Sequence, residues 1–464
     1  MRLQFPAEGW RQADSATSGP ACSQTVSEKD EIATMMTTTN RTLMTRAAST
    51  LRTAVTAAAL AATTIAVGGG VVSPAALAQA NYGEPGDLTV GWTRVQVTRD
   101  SGARFDSRVY YPATGTTFDS PFDPSAGPYP VIVFGHGYLT DPAEYIGTYQ
   151  HLASWGYIVM APESALNLFP NHQKFADDLR DCMDYMEVAN ADPANRFFGG
   201  VDEDNMGLSG HSMGGGASIL AAADETLPRL KGVANLAAAD TRPSSIAAME
   251  RVNVPISLIS GSEDSITPLE QHGLLMYQNG NAPRLLPVIQ GGWHCGFLDR
   301  SNLVCDSGSI SQQASLRLTR EYLTSFFNLY LKGDEEAWPV VWGPSMILDP
   351  EVNTQADPGM TMLPRVQRQG GSASSEVVYT IRLTNTRDDA QGFEMFVDNA
   401  RWTTTVVPAA TNVLNPGDFV DLTVTVEVPT NVQPGAADIA VISARSTIDN
   451  LTRQVAATRT QATN

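Results

Sequence analysis

The order of apolar segments between residues 130 and 331 constrains the fold of this chain more than any other feature of its sequence. Short runs rich in β-branched residues alternate with longer segments whose apolar residues recur at helical spacing. The predicted strands are PVIVFGHG (130–137), GYIVMAPES (156–164), MGLSG (206–210), VPISLISG (254–261) and RLLPVIQGG (284–292), and the predicted helices are 142–155, 173–190, 213–223 and 311–331. Alternating strands and helices predict an α/β sandwich with a mainly parallel sheet over residues 81–343.

A different pattern begins after Trp342. Residues 344–373 are rich in Pro, Gly, Gln and Asp without periodicity, which predicts a linker. Residues 374–464 alternate apolar and polar side chains in short runs that are separated by turns such as NPGD. They predict an all-β, immunoglobulin-like sandwich. Because the candidate catalytic residues all precede it, we expect this sandwich to be dispensable for the chemistry.

The first 80 residues predict a leader that is not part of the fold. An Ala-rich apolar stretch (55–72) follows two arginines and precedes small-residue cleavage sites that end at Ala78 and Ala80. From about Met44 this layout is typical of a secretory signal peptide, and a membrane anchor is the alternative. We therefore expect a secreted protein, extracellular or periplasmic, without a stable membrane anchor.

The charge of the chain excludes some partners. It has 30 Lys and Arg against 49 Asp and Glu, a formal net charge of −19. Proteins that bind nucleic acid normally carry a basic surface, and anionic membranes repel an acidic protein. We expect no nucleic-acid partner. The sequence leaves the oligomeric state open, and a monomer is the simplest expectation.

The pentapeptide GHSMG (210–214) is the strongest chemical signal in the sequence. A predicted strand precedes it and a predicted helix of small residues follows it, the context in which G-x-S-x-G forms a sharp turn with an exposed serine. The helix N-terminus also offers backbone N–H groups to an oxyanion. We predict that Ser212 is a nucleophile, and the alternative is a glycine-rich turn without chemistry.

A serine nucleophile needs a general base. In a fold with this strand–turn–helix arrangement, the base follows the serine in the sequence. Of the six histidines, His272 and His294 lie after Ser212. His294 follows a predicted strand and a Gly-Gly turn, where a base is expected, whereas His272 lies in a predicted helix. His294 is therefore the predicted base.

The third member of such a triad is a carboxylate in a loop after a strand. The segment GSEDS (261–265) offers Glu263 and Asp264, and Asp240 is a rival after an earlier apolar run. Each of them could also be an ordinary turn carboxylate. The predicted oxyanion donors are the backbone N–H groups of Tyr138, in the loop GHGY (135–138), and of Met213.

Two cysteines follow the candidate base in the sequence. Cys295 and Cys305 lie ten residues apart, and in an oxidising compartment we predict a disulfide that holds the His294 loop, with two unrelated thiols as the alternative. Cys182 lies on the apolar face of the 173–190 helix and is predicted to be a buried free thiol.

Residues 86–343 resemble the α/β-hydrolase superfamily, in particular the branch of cutinase-like polyester (PET) hydrolases and dienelactone hydrolase/chlorophyllase-like esterases. The resemblance rests on VIVFGHGY (131–138), LASWGYIVMAP (152–162), VDEDNMGLSGHSMGGGAS (201–218), GSEDSITP (261–268) and GGWHCGF (291–297). It implies a catalytic triad of Ser212, Asp264 and His294, with Tyr138 and Met213 as oxyanion-hole residues. The C-terminal segment resembles the immunoglobulin/fibronectin-like accessory domains of secreted bacterial enzymes.

The resemblance implies a secreted serine carboxylic-ester hydrolase that works through an acyl-enzyme and needs no metal or organic cofactor. A cutinase-like polyesterase and an esterase of small or lipid esters both fit, and a non-catalytic surface-binding protein is the alternative from another class. Two positions depart from the PET-hydrolase pattern: Ala239 replaces an aromatic residue, and the bulky Trp293 precedes the base. Trp293 and Tyr138 are candidate substrate-binding residues.

Overall fold

A computed structural model describes residues 80–224, 227–300, 305–343, 345–346 and 349–464. The predicted leader and signal peptide lie outside these residues, apart from Ala80. None of the helices in the described ranges is both long and apolar enough to cross a bilayer.

Nine strands form one mixed sheet in the order β1-β2-β4-β3-β5-β6-β7-β8-β9. They are β1 (Val90–Thr98), β2 (Arg104–Pro112), β3 (Tyr129–Gly135), β4 (Ile158–Pro162), β5 (Val201–His211), β6 (Leu230–Leu236), β7 (Ile256–Gly261), β8 (Arg284–Ile289) and β9 (Val352–Asp357). The pairings from β4 through β8 are parallel, while β1, β2 and β9 join antiparallel at the two edges. The predicted α/β class and parallel centre are therefore confirmed, within a sheet that is mixed at its edges.

The helices cover both faces of this sheet. They are α1 (Ile146–Ser154), α2 (His172–Ala191), α3 (Met213–Ala222), α4 (Ser245–Ala248), α5 (Gly273–Asn279), α6 (Gln312–Lys332) and α7 (Trp338–Val341), with 3₁₀ turns at Pro142–Tyr145, Met249–Arg251, Leu269–Gln271, His294–Phe297 and Glu335–Ala337. Every residue of β3 is buried because alternate side chains enter two different cores. Val131 and Val133 pack with α2 and α3, whereas Ile132 and Phe134 pack with α1 and α6.

The C-terminal part is all-β, as predicted. One four-stranded sheet contains β10 (Met360–Leu363), β12 (Glu376–Asn385), β15 (Phe419–Glu427) and β14 (Thr404–Val407), and the other contains β11 (Val366–Ser372), β17 (Arg453–Thr463), β16 (Ala437–Ser446) and β13 (Phe393–Asn399). Inward-facing apolar residues of both sheets form a single core, which makes this part a sandwich.

The predicted linker over residues 344–373 is wrong. Strand β9 pairs antiparallel with β8 and so belongs to the first sheet, while β10 and β11 belong to the sandwich. A short edge strand pairs through its backbone and needs few apolar side chains, so the polar composition of 352–357 concealed it. Only two residues separate β9 from β10, and the two parts are joined without a flexible spacer.

Side chains also connect the sandwich to the mixed sheet. The carboxylate of Asp357, at the end of β9, accepts hydrogen bonds from Arg284 of β8 at 3.3 Å and from Thr386 of the sandwich at 2.6 Å. At the start of β17, Arg453 pairs with Glu335 and lies 5.7 Å from the ring centre of Trp338. The sandwich is therefore docked against the α/β part.

Candidate active site

Ser212 occupies a sharp turn between β5 and α3. Its backbone angles, φ 55° and ψ −119°, place a non-glycine residue at positive φ, as expected for a strained nucleophile turn. A Cβ on Gly210 would lie 2.4 Å from the backbone carbon of Gly214, and one on Gly214 would lie 2.1 Å from the Gly135 oxygen. The glycines of GHSMG therefore allow the strand, the helix and the 135–138 loop to pack closely around the serine.

His294 and Asp264 form a buried pair in the loops after β8 and β7. Their Nδ1 and Oδ2 atoms are 2.8 Å apart, and the Asp264 side chain is 1% exposed. A carboxylate can only accept, so Nδ1 carries the proton and Nε2 is the basic nitrogen. Thr267 supports the carboxylate: its hydroxyl donates to Oδ2 at 2.8 Å and its backbone N–H to Oδ1 at 2.7 Å.

The rival acids and the rival base have other partners. Asp240 accepts hydrogen bonds from the Ser244 hydroxyl at 2.8 Å and from the Ile246 N–H at 3.2 Å, at the start of α4. The backbone N–H of Asp240 donates to His272 Nδ1 at 3.0 Å, and His272 precedes α5 instead of lying within it. Glu263 accepts from the Ser309 hydroxyl at 2.8 Å.

The candidate oxyanion donors lie on the two chain segments that meet at the serine turn. Met213 is the first residue of α3, so helix geometry gives its N–H no intrahelical acceptor. Tyr138 lies in the loop after β3, and its hydroxyl donates to the Leu168 carbonyl at 2.7 Å. The buried His136 also joins this loop to the next one, with Nε2 2.7 Å from the Ser164 carbonyl.

The segment that carries His294 is closed by a disulfide. Cys295 and Cys305 are bonded, as predicted, with their Cα atoms 5.6 Å apart. Cys182 is buried and free, also as predicted. Burial raises the pKa of its thiol well above the usual value, which keeps it protonated and unreactive.

Comparison with known proteins identifies the α/β part. Residues 84–309 match the family model described as PET hydrolase-like. This segment is a PET hydrolase-like domain. A stretch of 96 residues is also 33% identical to chlorophyllase type 0 from Chenopodium album, over 19% of this chain and 27% of that protein. The chain thus matches little more than a quarter of the length of this relative, and both findings confirm the resemblance inferred from the motifs.

Several apolar side chains in the loops of the PET hydrolase-like domain are exposed. Tyr138 is 48% exposed, Leu168 63%, Phe169 92% and Ile266 47%. They lie in the loops after β3, β4 and β7, at the same edge of the sheet at which Ser212 follows β5.

Trp293 is not one of these exposed side chains. It is 6% exposed and belongs to the core cluster that contains residues of α1 and α6, and its role in substrate binding stays a prediction. A tryptophan beside the base suggested contact with substrate, but sequence alone could not show that the side chain turns into the core.

Sequence reasoning missed several residues that hold the site of the PET hydrolase-like domain together. Asp306 accepts backbone hydrogen bonds from His294 and from Ser265, and Thr267 contacts the acid. The position of Asp306 beside a disulfide cysteine was a usable signal, since the disulfide brings it to the His294 loop. The side chains of Tyr145 and His211 are hydrogen-bonded to each other at 2.8 Å, and nothing in their spacing indicated this.

Proposed function

We propose that this protein is a carboxylic-ester hydrolase with a catalytic triad of Ser212, His294 and Asp264. The observation that carries the proposal is the buried His294–Asp264 pair, which lies with the strained Ser212 turn in the segment that matches the PET hydrolase-like family model. Such a pair orients the imidazole and stabilises the cation that forms when the imidazole takes a proton.

The geometry supports the following sequence of steps. Nε2 of His294 takes the proton of the Ser212 hydroxyl as Oγ attacks the ester carbonyl. The N–H groups of Tyr138 and Met213 stabilise the tetrahedral oxyanion. The alcohol leaves with the proton from His294, and an acyl group remains on Ser212. A water molecule, deprotonated by His294, then releases the acid and restores the serine.

The substrate we propose is an ester with an apolar acyl or alcohol part. The exposed ring of Phe169 and the side chains of Leu168 and Ile266 would contact it beside the serine. A polyester, as the PET hydrolase-like description suggests, and a lipid or small ester, as the chlorophyllase match suggests, both fit this surface. Ala239, in place of an aromatic clamp, favours flexible chains over stacked aromatic units.

We also propose that the protein is secreted and acts without a cofactor. The Cys295–Cys305 disulfide supports an oxidising compartment, where such bonds persist. The reaction above uses only side chains, backbone N–H groups and water, so the chemistry requires no metal or organic cofactor.

Turnover of p-nitrophenyl esters of increasing acyl length, and of a polyester film, tests the proposal. Wild-type protein should hydrolyse the soluble esters, and Ser212→Ala should reduce kcat by about 10⁴-fold or more. Ser209→Ala is the matched control, because this serine is buried in β5, three residues before Ser212, and its hydroxyl donates to the Ala234 carbonyl. Turnover that survives Ser212→Ala would contradict the mechanism. Absence of turnover in the wild type would favour the surface-binding alternative.

A further inference from the structure

The histidine of GHSMG is enclosed by the site and is not part of its entrance. His211 is 2% exposed, and its ring centre lies 4.5 Å from that of His294 and 5.8 Å from that of Phe297. It therefore presents almost no surface to a substrate, although it directly precedes Ser212.

A continuous set of hydrogen bonds passes through this ring. The backbone N–H of Gly137 donates to the Tyr145 hydroxyl oxygen at 3.0 Å. That hydroxyl lies 2.8 Å from His211 Nδ1, and His211 Nε2 lies 3.1 Å from the carbonyl oxygen of His294. The set begins one residue before the oxyanion donor Tyr138 and ends on the backbone of the catalytic base.

Elementary chemistry fixes the direction of each bond. A carbonyl oxygen only accepts, so His211 Nε2 carries a proton and donates to His294. Burial, reinforced by the neighbouring His294, lowers the pKa of His211 well below its usual value, so the ring is neutral and Nδ1 has a free lone pair. Tyr145 therefore donates to Nδ1, and its oxygen accepts from Gly137. All three contacts are satisfied by one protonation state.

We propose, on the basis of the proposed function, that Tyr145 and His211 are positioning residues that fix the oxyanion loop and the catalytic histidine relative to each other. Tyr145 holds the backbone that presents the Tyr138 N–H. His211 holds the backbone that carries the His294 ring. An acyl transfer requires the oxyanion donor and the base to be correctly placed at the same time. A small displacement of either group lowers the reaction rate.

The chain offers a matched control for Tyr145. Tyr149 lies one helical turn later in the same core, is equally buried, and among the described residues its hydroxyl has no hydrogen-bond partner. Replacement of either tyrosine by Phe removes one buried hydroxyl and leaves the ring. Tyr145→Phe removes the hydroxyl that links Gly137 to His211, whereas Tyr149→Phe removes a hydroxyl that makes no such link.

The readout is the rate at which a fluorophosphonate probe labels Ser212, together with kcat and KM on p-nitrophenyl butyrate and the thermal midpoint. Fluorophosphonates report an activated serine with an oxyanion hole and do not depend on the natural substrate. We expect Tyr145→Phe to reduce the labelling rate and kcat by about tenfold, with KM changed less than about twofold. Tyr149→Phe should remain close to the wild type.

His211 variants test the other half of the set. His211→Gln retains a donor for the His294 carbonyl and should keep more activity than His211→Leu, which removes both contacts. If the residues act as one unit, Tyr145→Phe combined with His211→Leu should be little worse than His211→Leu alone. If the activity losses of the two single variants simply add in the double variant, Tyr145 and His211 do not act as one unit.

The outcomes separate this inference from the proposed function. If Ser212 of the wild type is labelled but Tyr145→Phe and Tyr149→Phe are labelled equally fast, the positioning role is wrong and the proposed function stands. If the wild type is not labelled at Ser212, both are wrong. The inference would also be overturned if Tyr145→Phe is labelled more slowly only because less of the protein is folded, as judged from its thermal midpoint.

Discussion

Asp306 accepts a hydrogen bond from the backbone N–H of His294 at 3.0 Å. The same carboxylate accepts from the N–H groups of Cys295 at 3.1 Å and Ser265 at 3.2 Å, and Ser265 directly follows Asp264. One side chain thus holds the backbone on both sides of the Asp264–His294 pair. We infer that Asp306 fixes the separation of Asp264 and His294 through these backbone hydrogen bonds.

Replacement of Asp306 should therefore slow catalysis. In Asp306→Asn one carboxylate oxygen becomes an NH₂ group, which repels the N–H donors it faces, and we expect kcat to fall about 10- to 100-fold as the base shifts. Steady-state kinetics on a soluble ester checks this. The matched control is Glu263→Gln, in the neighbouring loop after β7, which should retain near-normal kcat. Equal kcat in both variants would contradict the role of Asp306.

The Cys295–Cys305 disulfide should stabilise the same region. It closes a short loop, and its loss should lower the free energy of unfolding by about 2–3 kcal/mol and reduce activity at elevated temperature. Thermal unfolding with and without reductant, in a Cys182→Ala background to exclude exchange, measures the effect. Mass spectrometry of the non-reduced protein is the direct check: two free thiols at these positions would refute the bond.

Truncation should distinguish the edge strand from the sandwich. A chain that ends at Gly343 lacks β9 and leaves β8, which leads into the His294 loop, as an open edge. We expect this chain to lose most activity or to aggregate. A chain that ends after Gly359 keeps β9 and should retain kcat/KM on a soluble ester within a few-fold, with a lower thermal midpoint because contacts such as Asp357–Thr386 are lost.

Circular dichroism and kinetics on the two truncated proteins measure these effects. If the Gly343 chain is as active and stable as the longer one, β9 contributes nothing to the site. If the longer chain is folded but inactive, the sandwich helps to build the active site.

The protein should lose stability as the pH falls below neutral. Burial lowers the pKa of His151 from 6.5 to about 4, and its Nε2 lies 3.0 Å from the Tyr82 carbonyl. Between pH 6.5 and 4, His151 is protonated in the unfolded chain but stays mostly neutral in the folded protein. As the pH falls through this range, this group therefore lowers the free energy of unfolding by up to about 1.4 kcal/mol per pH unit. Above pH 6.5 this contribution is constant.

Denaturant unfolding at pH 7, 5.5 and 4.5 tests the effect in the wild type and in His151→Gln. The variant should show a weaker dependence on pH over this range, because the group that titrates only in the unfolded chain is gone. The same dependence in both proteins would mean that other groups, such as the buried His211, account for it.

The central strands, the long helices and the serine turn could be predicted because their signals are local. Strand β3 is a continuous apolar run, α2 has apolar residues at helical spacing, and the GHSMG turn has its glycines where close packing demands them. The position of His294 after a strand, which motivates its predicted role as the base, is a signal of the same local kind. These features depend on residues within a few positions of one another.

The remaining features depend on contacts between distant segments. Strand β9 is defined by its pairing with β8, more than 60 residues earlier, and its own sequence is mostly polar. Asp306 and Tyr145 act through hydrogen bonds to distant segments, for which a single sequence has no periodic signal. Burial of Trp293 depends likewise on how α1 and α6 cover the sheet.

Identification of the acylated residue tests the central claim most directly. Wild-type protein mixed with excess p-nitrophenyl ester and quenched in acid should carry one acyl group, and peptide mass spectrometry should place it on Ser212. In Ser212→Ala no peptide should be acylated and the burst of p-nitrophenol should vanish. An acyl group on any other residue, or a burst that persists in Ser212→Ala, would contradict the account.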